Sequence, residues 1–407
     1  MEIIQVDPKT LEPHPKNPRS GHAVEKIQTS IKEFGFTSPI LIQKGTRRII
    51  AGHGRWKAAL RGGSATVPVI ELDLTDKKAV AYMIADNRLA EESGWEKDLL
   101  RDLFQDLKVD SFDLAMTGFS SDELLKLFIK DTEVEDNVPE AKECSSINRG
   151  DLFILGNHRL MCGDSTNLED VKRLLDGSKP EMCFTSPPYN LGEGSKLRGY
   201  LATGRNTVYE KYNDSKSESD WLDMMEKFTE IALDSCEYLF CNIQVLAGNR
   251  KAFIDYWHKF GNNFCDVAIW NKISSSPALH TRVMSSCFEF VLIFTKTNPS
   301  RNIRIAPEFR AVSNVYSASS RKSGEELDLD VYHGAVFPIH FPLHFIITFT
   351  KESAKVFDPF SGTGTTIIVC EKSNRKGFGM EIDPAYCDVI IKRWENFTGQ
   401  KAEKINV

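Results

Sequence analysis

Val356-Phe-Asp-Pro-Phe-Ser-Gly-Thr-Gly-Thr-Thr366 begins as an apolar strand ending in Asp358, turns through two glycines and leads into the helical run Ile367 to Glu371. A strand that opens through Gly-x-Gly into a helix brings backbone close to a ligand and aims the helix's N-terminal N–H groups at its negative end. A lone Gly-x-Gly also serves as a plain tight turn. Here it is followed, about 20 residues on, by Gly379-Met-Glu-Ile-Asp383, where a dinucleotide-type fold places the carboxylate that holds ribose hydroxyls. The spacing suits a nucleoside ligand. No Gly-Lys-Ser or Gly-Lys-Thr follows the glycines, which argues against a phosphate-binding P-loop.

Outward from this turn, residues 144–407 carry apolar runs of the kind that form buried parallel strands: Met182 to Thr185, Tyr238 to Asn242, Phe288 to Phe294 and Lys355 to Asp358. The expected fold is α/β, a mostly parallel Rossmann-like sheet with helices on both faces. Two strands end in unusual turns, at Ser186 and Pro359, and ligands of open α/β sheets sit beyond such carboxyl ends. The first of these turns is Thr185-Ser-Pro-Pro-Tyr-Asn190. Consecutive prolines cannot continue a central ladder and lock φ, so the chain leaves the strand rigidly. An aromatic ring offers a stacking surface for a planar base, and a fixed carbonyl and a hydroxyl can accept both hydrogens of an amino group. Alone, the hexapeptide reads better as an ordinary proline turn.

The chain's 407 residues suit two domains. No apolar run approaches the ~20 residues that cross a bilayer, and the first residues lack the pattern of a secretory signal, so no membrane partner is expected. Nine cysteines without a Cys-x-x-Cys pair argue against a disulfide framework and a zinc site; no metal is expected, and a reducing cytoplasm fits best. The net charge of -6 is unevenly spread: residues 1–70 hold 11 Lys+Arg against 5 Asp+Glu, whereas 71–130 hold 8 against 14. Only the first lobe is electrostatically suited to phosphate. The acidic stretch 131–143 has no apolar periodicity and reads as a solvated linker. Before it, residues 1–130 mix short strands (Pro39 to Gln43, Arg48 to Ala51, Val67 to Glu71) with helical patterns at Ala23 to Phe34, Trp56 to Arg61, Lys77 to Leu89, Lys97 to Leu107 and Asp122 to Ile129.

Together, the proline turn and the glycine turn resemble the DNA amino-methyltransferase family, and their order resembles its β class. The resemblance spans about Gly150 to Thr398, on several independent motifs in one order. It implies an S-adenosylmethionine-dependent enzyme that methylates N4 of cytosine or N6 of adenine in flipped-out bases of double-stranded DNA, by direct displacement. Ser186 at the first motif position leans toward cytosine by family habit, though members with this motif also modify adenine. The catalytic residues implied are Ser186, Pro187, Pro188 and Tyr189. The cofactor contacts implied are Thr185, Asp358, Pro359, Phe360, Gly362, Gly364, Thr365, Thr366, Glu381 and Asp383. Asp164, in a short upstream acidic motif, and Phe337, in His333-Gly-Ala-Val-Phe-Pro-Ile-His-Phe-Pro342, join them; Gly334 departs from the family's proline. Ring-carbon methylation would need a cysteine nucleophile, typically after a proline, and no cysteine here follows one. Residues 191–217, with a net +2, read as a loop over DNA or as a plain solvated loop, and 272–331 as the target-recognition region.

Leu11 to Arg19, Gly35 to Ile42 and Ala51 to Ala59 resemble the ParB-like N-terminal domain, a smaller α+β fold. The resemblance implies a phosphate, nucleotide or DNA contact at Gly52, His53 and Arg55. It extends to CTP as a ligand and to a homodimer. Gly52-His-Gly-Arg55 stands where nucleotide-hydrolysing members carry Gly-Glu-Arg-Arg, which speaks against CTP turnover. The expected whole is a bacterial or phage-encoded, nucleoid-associated DNA methyltransferase. The alternatives are a non-catalytic ParB-like partition protein, which leaves the C-terminal motifs without purpose, and an RNA or protein amide methyltransferase.

Overall fold

The computed structural model describes residues 2–19, 23–91, 94–109, 114–119, 123, 124, 127, 138, 139, 145–190, 216–273, 284, 286–297, 300–306, 312–318 and 338–405. The chain divides into two compact units, Met1–Phe128 and Ile129–Val407. The expected linker 131–143, the helix at Asp122 to Ile129 and the loop 191–217 lie largely outside the described residues, as do about half of the recognition region 272–331 and all of His333 to Phe337.

The first unit is α+β. Its strands β1 (Ile3–Val6), β2 (Glu12–Pro13), β3 (Ile40–Gln43), β4 (Arg48–Ala51) and β5 (Val67–Leu72) form one sheet in the order β1-β5-β3-β4-β2. Val6, Leu11, Ile40, Ile42, Ile49, Ala59, Val67 and Val69 make its core. Helices α1 (Val24–Phe34), α2 (His53–Arg61), α3 (Asp76–Glu91) and α4 (Lys97–Val109) follow the sequence periodicity within a few residues. Gly52, at φ 94, turns the chain from β4 into α2.

The second unit holds a ten-stranded sheet. Its strands are β6 (Leu152–Leu155), β7 (His158–Cys162), β8 (Met182–Thr185), β9 (Tyr238–Ile243), β10 (Phe264–Asn271), β11 (Phe288–Thr295), β12 (Val315–Ser317), β13 (Lys355–Asp358), β14 (Lys376–Glu381) and β15 (Glu403–Ile405). They run in the order β12-β10-β11-β9-β8-β13-β14-β7-β6-β15. The five central strands, β7-β14-β13-β8-β9, pair parallel throughout. The run Phe288 to Phe294 was expected among the parallel strands, but β11 pairs antiparallel with both β9 and β10. An apolar run reports that both faces of a strand are covered; it carries no information about direction.

The helices are α5 (Leu168–Leu175), α6 (Glu218–Ser235), α7 (Arg250–Lys259), α8 (His340–Phe349), α9 (Thr365–Lys372) and α10 (Pro384–Thr398). Alternation along each strand sorts side chains to the two faces. Cys183 of β8 joins the core made with Val171 of α5, Trp221 of α6 and Phe253 of α7. Its neighbour Phe184 points the other way, with its ring 5.6 Å from that of Phe341 and 5.7 Å from that of Phe345, both on α8. Residues 341–348 of α8 are all buried, as in a helix apolar on every side. Ile367 of α9 packs with Ile390 and Trp394 of α10. Among the described residues no helix is long and apolar enough to cross a membrane.

The parallel order creates a switch point. From β13 the chain passes through α9 to β14 on one side, while from β8 it passes to β9 on the other. Two connections diverging from adjacent strand ends leave a crevice between them. The proline turn and the glycine turn leave from these two adjacent ends.

Candidate active site

The strand ends are tied together by side chains. Thr185, the last residue of β8 and fully buried, donates from Oγ1 to Asp358 Oδ1 across to β13 at 2.8 Å. The same oxygen accepts from Phe360 N at 3.2 Å, and Oδ2 accepts from Thr366 Oγ1 at 2.6 Å. Burial pushes the Asp358 carboxyl up to about 6. Both its oxygens serve the turn itself, so Asp358 and Thr185 shape the crevice from beneath.

Gly364 opens α9 at φ 80, where a Cβ would stand 2.8 Å from Ile390. Only glycine meets both conditions. Arg393 of α10, buried, reaches the same turn and donates from Nη1 to Thr363 O at 2.9 Å and Thr365 Oγ1 at 3.0 Å. Phe360 meets Phe228 edge to face. Pro359, Thr365 and Thr366 are buried, and Gly362 is half-buried.

At the end of β14, half-buried Glu381 receives the Gly362 N–H at 2.8 Å on Oε2 and the Asp383 N–H at 3.0 Å on Oε1. Burial outweighs these bonds and pushes its carboxyl up to about 7. Asp383 caps α10, accepting from Ala385 N at 2.8 Å. Next to β14, β7 leads into Gly163, whose N–H donates to Glu381 O at 3.0 Å. Asp164 follows, accepting from Thr166 N and Oγ1. The structure thus brings Asp164, Thr185, Asp358, Gly362 and Glu381 to one edge of four adjacent strands. Among the described residues no group of three or more His, Cys, Asp or Glu could hold a metal ion.

The proline turn is pinned from several elements. Trp221 Nε1 of α6 donates to Pro188 O at 2.7 Å, and Asn249 Nδ2 donates to Tyr189 O at 2.7 Å. Asn190, at φ 57, donates to Gly248 O at 2.8 Å and accepts from Lys216 N at 3.0 Å. Held this way, the Tyr189 ring packs on the core, and its hydroxyl lies 2.9 Å from Ser186 Oγ and donates to Glu289 Oε2 at 2.9 Å. Burial first, and the Glu289 charge second, hold the phenol well above its usual range, so it stays protonated. Asn242, at the end of β9, donates from Nδ2 to the Tyr189 hydroxyl and to Glu289 Oε2, the latter at 2.7 Å. The other Glu289 oxygen pairs with Lys272 Nζ at 2.5 Å. Reading the sequence missed Glu289, Asn242, Lys272, Trp221, Asn249 and Arg393.

A DNA methylase family model matches residues 181–393, more than half the chain and spanning both turns. The chain belongs to the DNA methylase family. A ParB N-terminal domain model matches residues 1–88, and a ParB-methyltransferase helix-turn-helix model matches 98–147. The chain is 25% identical over 255 residues to the orphan methyltransferase M.BamHII of Bacillus amyloliquefaciens, which covers 53% of this chain and 89% of that protein. The chain is also 30% identical over 95 residues to the chromosome-partitioning protein Spo0J of Thermus thermophilus, covering 22% of this chain and 35% of that protein. Among solved structures, the cytosine-N4-specific PvuII DNA methyltransferase aligns with a TM-score of 0.41 at 17% identity, over 65% of this chain and 98% of its own. This DNA methylase uses S-adenosylmethionine as methyl donor and acts on an exocyclic amino nitrogen, N4 of cytosine or N6 of adenine.

In the N-terminal ParB-like unit, Arg55 Nη1 donates to Ser38 O at 3.1 Å, and burial lowers its guanidinium while nearby Asp86 opposes that. His53 is buried, its Nε2 accepting from His14 N at 3.2 Å. Its ring therefore faces inward, while Gly52 and Arg55 remain half-buried at the helix start.

Proposed function

We propose that Ser186, Pro187, Pro188 and Tyr189 hold the target amino group. In this reading its hydrogens meet Ser186 Oγ and the Pro187 carbonyl, and the base lies against Tyr189. Hydrogen bonds of this kind favour a tetrahedral nitrogen and restore a lone pair otherwise delocalised into the ring. S-adenosylmethionine, when bound, supplies the electrophilic sulfonium methyl. Its adenosyl part would lie over the glycine turn, with Glu381 accepting from the ribose hydroxyls, Asp164, Asp383 and Phe360 lining the nucleoside end, and Phe337 assigned to the methionine end. Thr185, Asp358, Pro359, Gly362, Gly364, Thr365 and Thr366 build the floor. The Thr185–Asp358 bond of 2.8 Å carries this reading, because it joins the proline turn to the glycine turn at the switch point. Donor and acceptor would then meet over one pair of strands. Single-turnover methyl transfer with Ser186→Ala and Tyr189→Ala tests it. Both variants should lose transfer and keep cofactor affinity, and full activity in both removes the assignment.

The proposed organisation has a ParB-like domain with helical extension at 1–130, a linker at 131–143, a methyltransferase domain at 144–407 and target recognition within 272–331. The excess positive charge of residues 1–70 supports DNA contact by the first lobe. Gly52 and Arg55 at the start of α2 support a nucleotide phosphate there, with CTP as ligand and a homodimer as its assembly. Removing residues 1–130 should weaken DNA binding more at low salt than at high salt, and equal loss at both would remove the electrostatic argument.

A further inference from the structure

Glu289 sits in the middle of the catalytic turn's hydrogen bonds, and the proposed reaction leaves it without a task. It interrupts the apolar run of β11, is 6% exposed, and has both oxygens engaged. Oε2 accepts from the Tyr189 hydroxyl at 2.9 Å and from Asn242 Nδ2 at 2.7 Å, and Oε1 pairs with Lys272 Nζ at 2.5 Å. Lys272 also lies over the Trp270 ring, 5.3 Å from its centroid. A buried carboxylate needs a reason, since desolvating it is costly even when paired.

We propose that Glu289 is the terminal proton acceptor for methyl transfer, reached from the target amino group through Ser186 and Tyr189. The inference rests on the assignment of Ser186 and Tyr189 above. A carboxylate only accepts, so Glu289 fixes the sense of the whole chain. The Tyr189 hydrogen points to Glu289, and Asn242 donates to the Tyr189 oxygen. Ser186 Oγ, 2.9 Å from that oxygen, then donates to it and turns its lone pairs toward the substrate. That is the polarity an incoming N–H requires.

The same chain disposes of the surplus proton. As the amino nitrogen bonds to the methyl carbon and the carbon–sulfur bond breaks, the sulfonium becomes a neutral thioether and the nitrogen takes the positive charge. One amino proton passes to Ser186 Oγ, the Ser186 proton to the Tyr189 oxygen, and the Tyr189 proton to Glu289 Oε2. The products are a methylamino base, a neutral thioether and a protonated Glu289, which returns its proton to water after release. Tyr189 is never left as a phenolate, in keeping with its raised pKa. Lys272 engages Oε1 and leaves Oε2 as the oxygen that faces Tyr189. Asn242 Oδ1, buried and with no hydrogen-bond partner among the described residues, lies on the same amide that orients Tyr189 and Glu289.

The test is single-turnover transfer from labelled S-adenosylmethionine to unmethylated genomic DNA between pH 6 and 9, with cofactor and DNA affinities measured alongside. Among the described residues, the titratable groups facing Glu289 are Lys272 and Tyr189; Cys241, beside Tyr189, is pushed up to about 12 and stays neutral. Glu289→Gln should slow transfer by about a hundredfold or more, the scale of lost general-base catalysis. Its rate should climb with pH as hydroxide replaces the missing acceptor, while the wild-type rate stays level, and both affinities should stay within about twofold. Tyr189→Phe, which keeps the ring and breaks the chain, should behave the same way, and Glu289→Asp should recover part of the rate and the level profile. Wild-type rate in Glu289→Gln overturns the relay, as does a slowed rate with a level pH profile or a loss of cofactor and DNA binding that Glu289→Asp does not repair. If Ser186→Ala and Tyr189→Ala are themselves fully active, the site assignment fails. If they are inactive while Glu289→Gln is normal, only the relay fails.

Discussion

Asp358 offers a test of how the crevice is built. It is 1% exposed, it accepts hydrogen bonds from Thr185, Phe360 and Thr366, and burial lifts its carboxyl from an ordinary 3.8 to about 6. A carboxyl whose pKa is higher in the folded state favours folding below its unfolded pKa and loses that contribution as pH rises through the folded value. A difference of about two pH units corresponds to about 3 kcal/mol, present near pH 4 and lost by pH 8. Asp358→Asn keeps the shape, accepts from Thr185 and Phe360 through its amide oxygen, donates to Thr366, and does not titrate. Hydrogen exchange of the β13 amides, compared at equal pH, should therefore be slower in the variant by about a hundredfold at pH 8. The ratio should shrink to about tenfold at pH 5 and close further at pH 4. Because both carboxylate oxygens face the turn, cofactor affinity should change by no more than a few-fold. An exchange ratio independent of pH would refute the buried-charge account, and a large loss of cofactor affinity would refute the inward-facing role.

Glu381, pushed up to about 7, should bind ribose hydroxyls as a carboxylate, so S-adenosylmethionine affinity by calorimetry should weaken about tenfold per pH unit below 7. Glu381→Gln should bind weakly and without that slope. Gly364→Ala combines a left-handed backbone with a contact of 2.8 Å to Ile390 and should cost about 3 kcal/mol, read as faster exchange in α9. Trp221→Phe removes the donor to Pro188 O; it should cost about 1–2 kcal/mol and slow methyl transfer while leaving cofactor affinity unchanged.

The strand boundaries at Met182–Thr185 and Lys355–Asp358 were legible because each ends in a residue pattern that cannot prolong a ladder, a proline pair in one and Asp-Pro in the other. The glycine turn and Glu381 were legible as a pair because their spacing follows one strand–helix–strand unit. Direction was not legible: Phe288 to Phe294 is apolar on both faces whichever way it runs. Glu289 and Asn242 each stand alone in an apolar run, a signal of a polar group buried for a reason. Their partners, though, lie 100 and 53 residues away at Tyr189, so no local pattern could name the contact. The pinning by Trp221 and Asn249 was hidden for the same reason, since side-chain bonds to a backbone carbonyl leave no spacing to read. Helix α8, buried along 341–348, was obscured by the His333 to Pro342 motif that runs into it.

The central claim is that this DNA methylase modifies an exocyclic amino nitrogen without a covalent enzyme nucleophile. Its most direct test is incubation of unmethylated duplex DNA with methyl-labelled S-adenosylmethionine, followed by digestion to nucleosides and mass spectrometry. The label should appear in N4-methylcytosine or N6-methyladenine, and should vanish with Tyr189→Ala. Label in 5-methylcytosine, or none in DNA while RNA or protein is labelled, would contradict it.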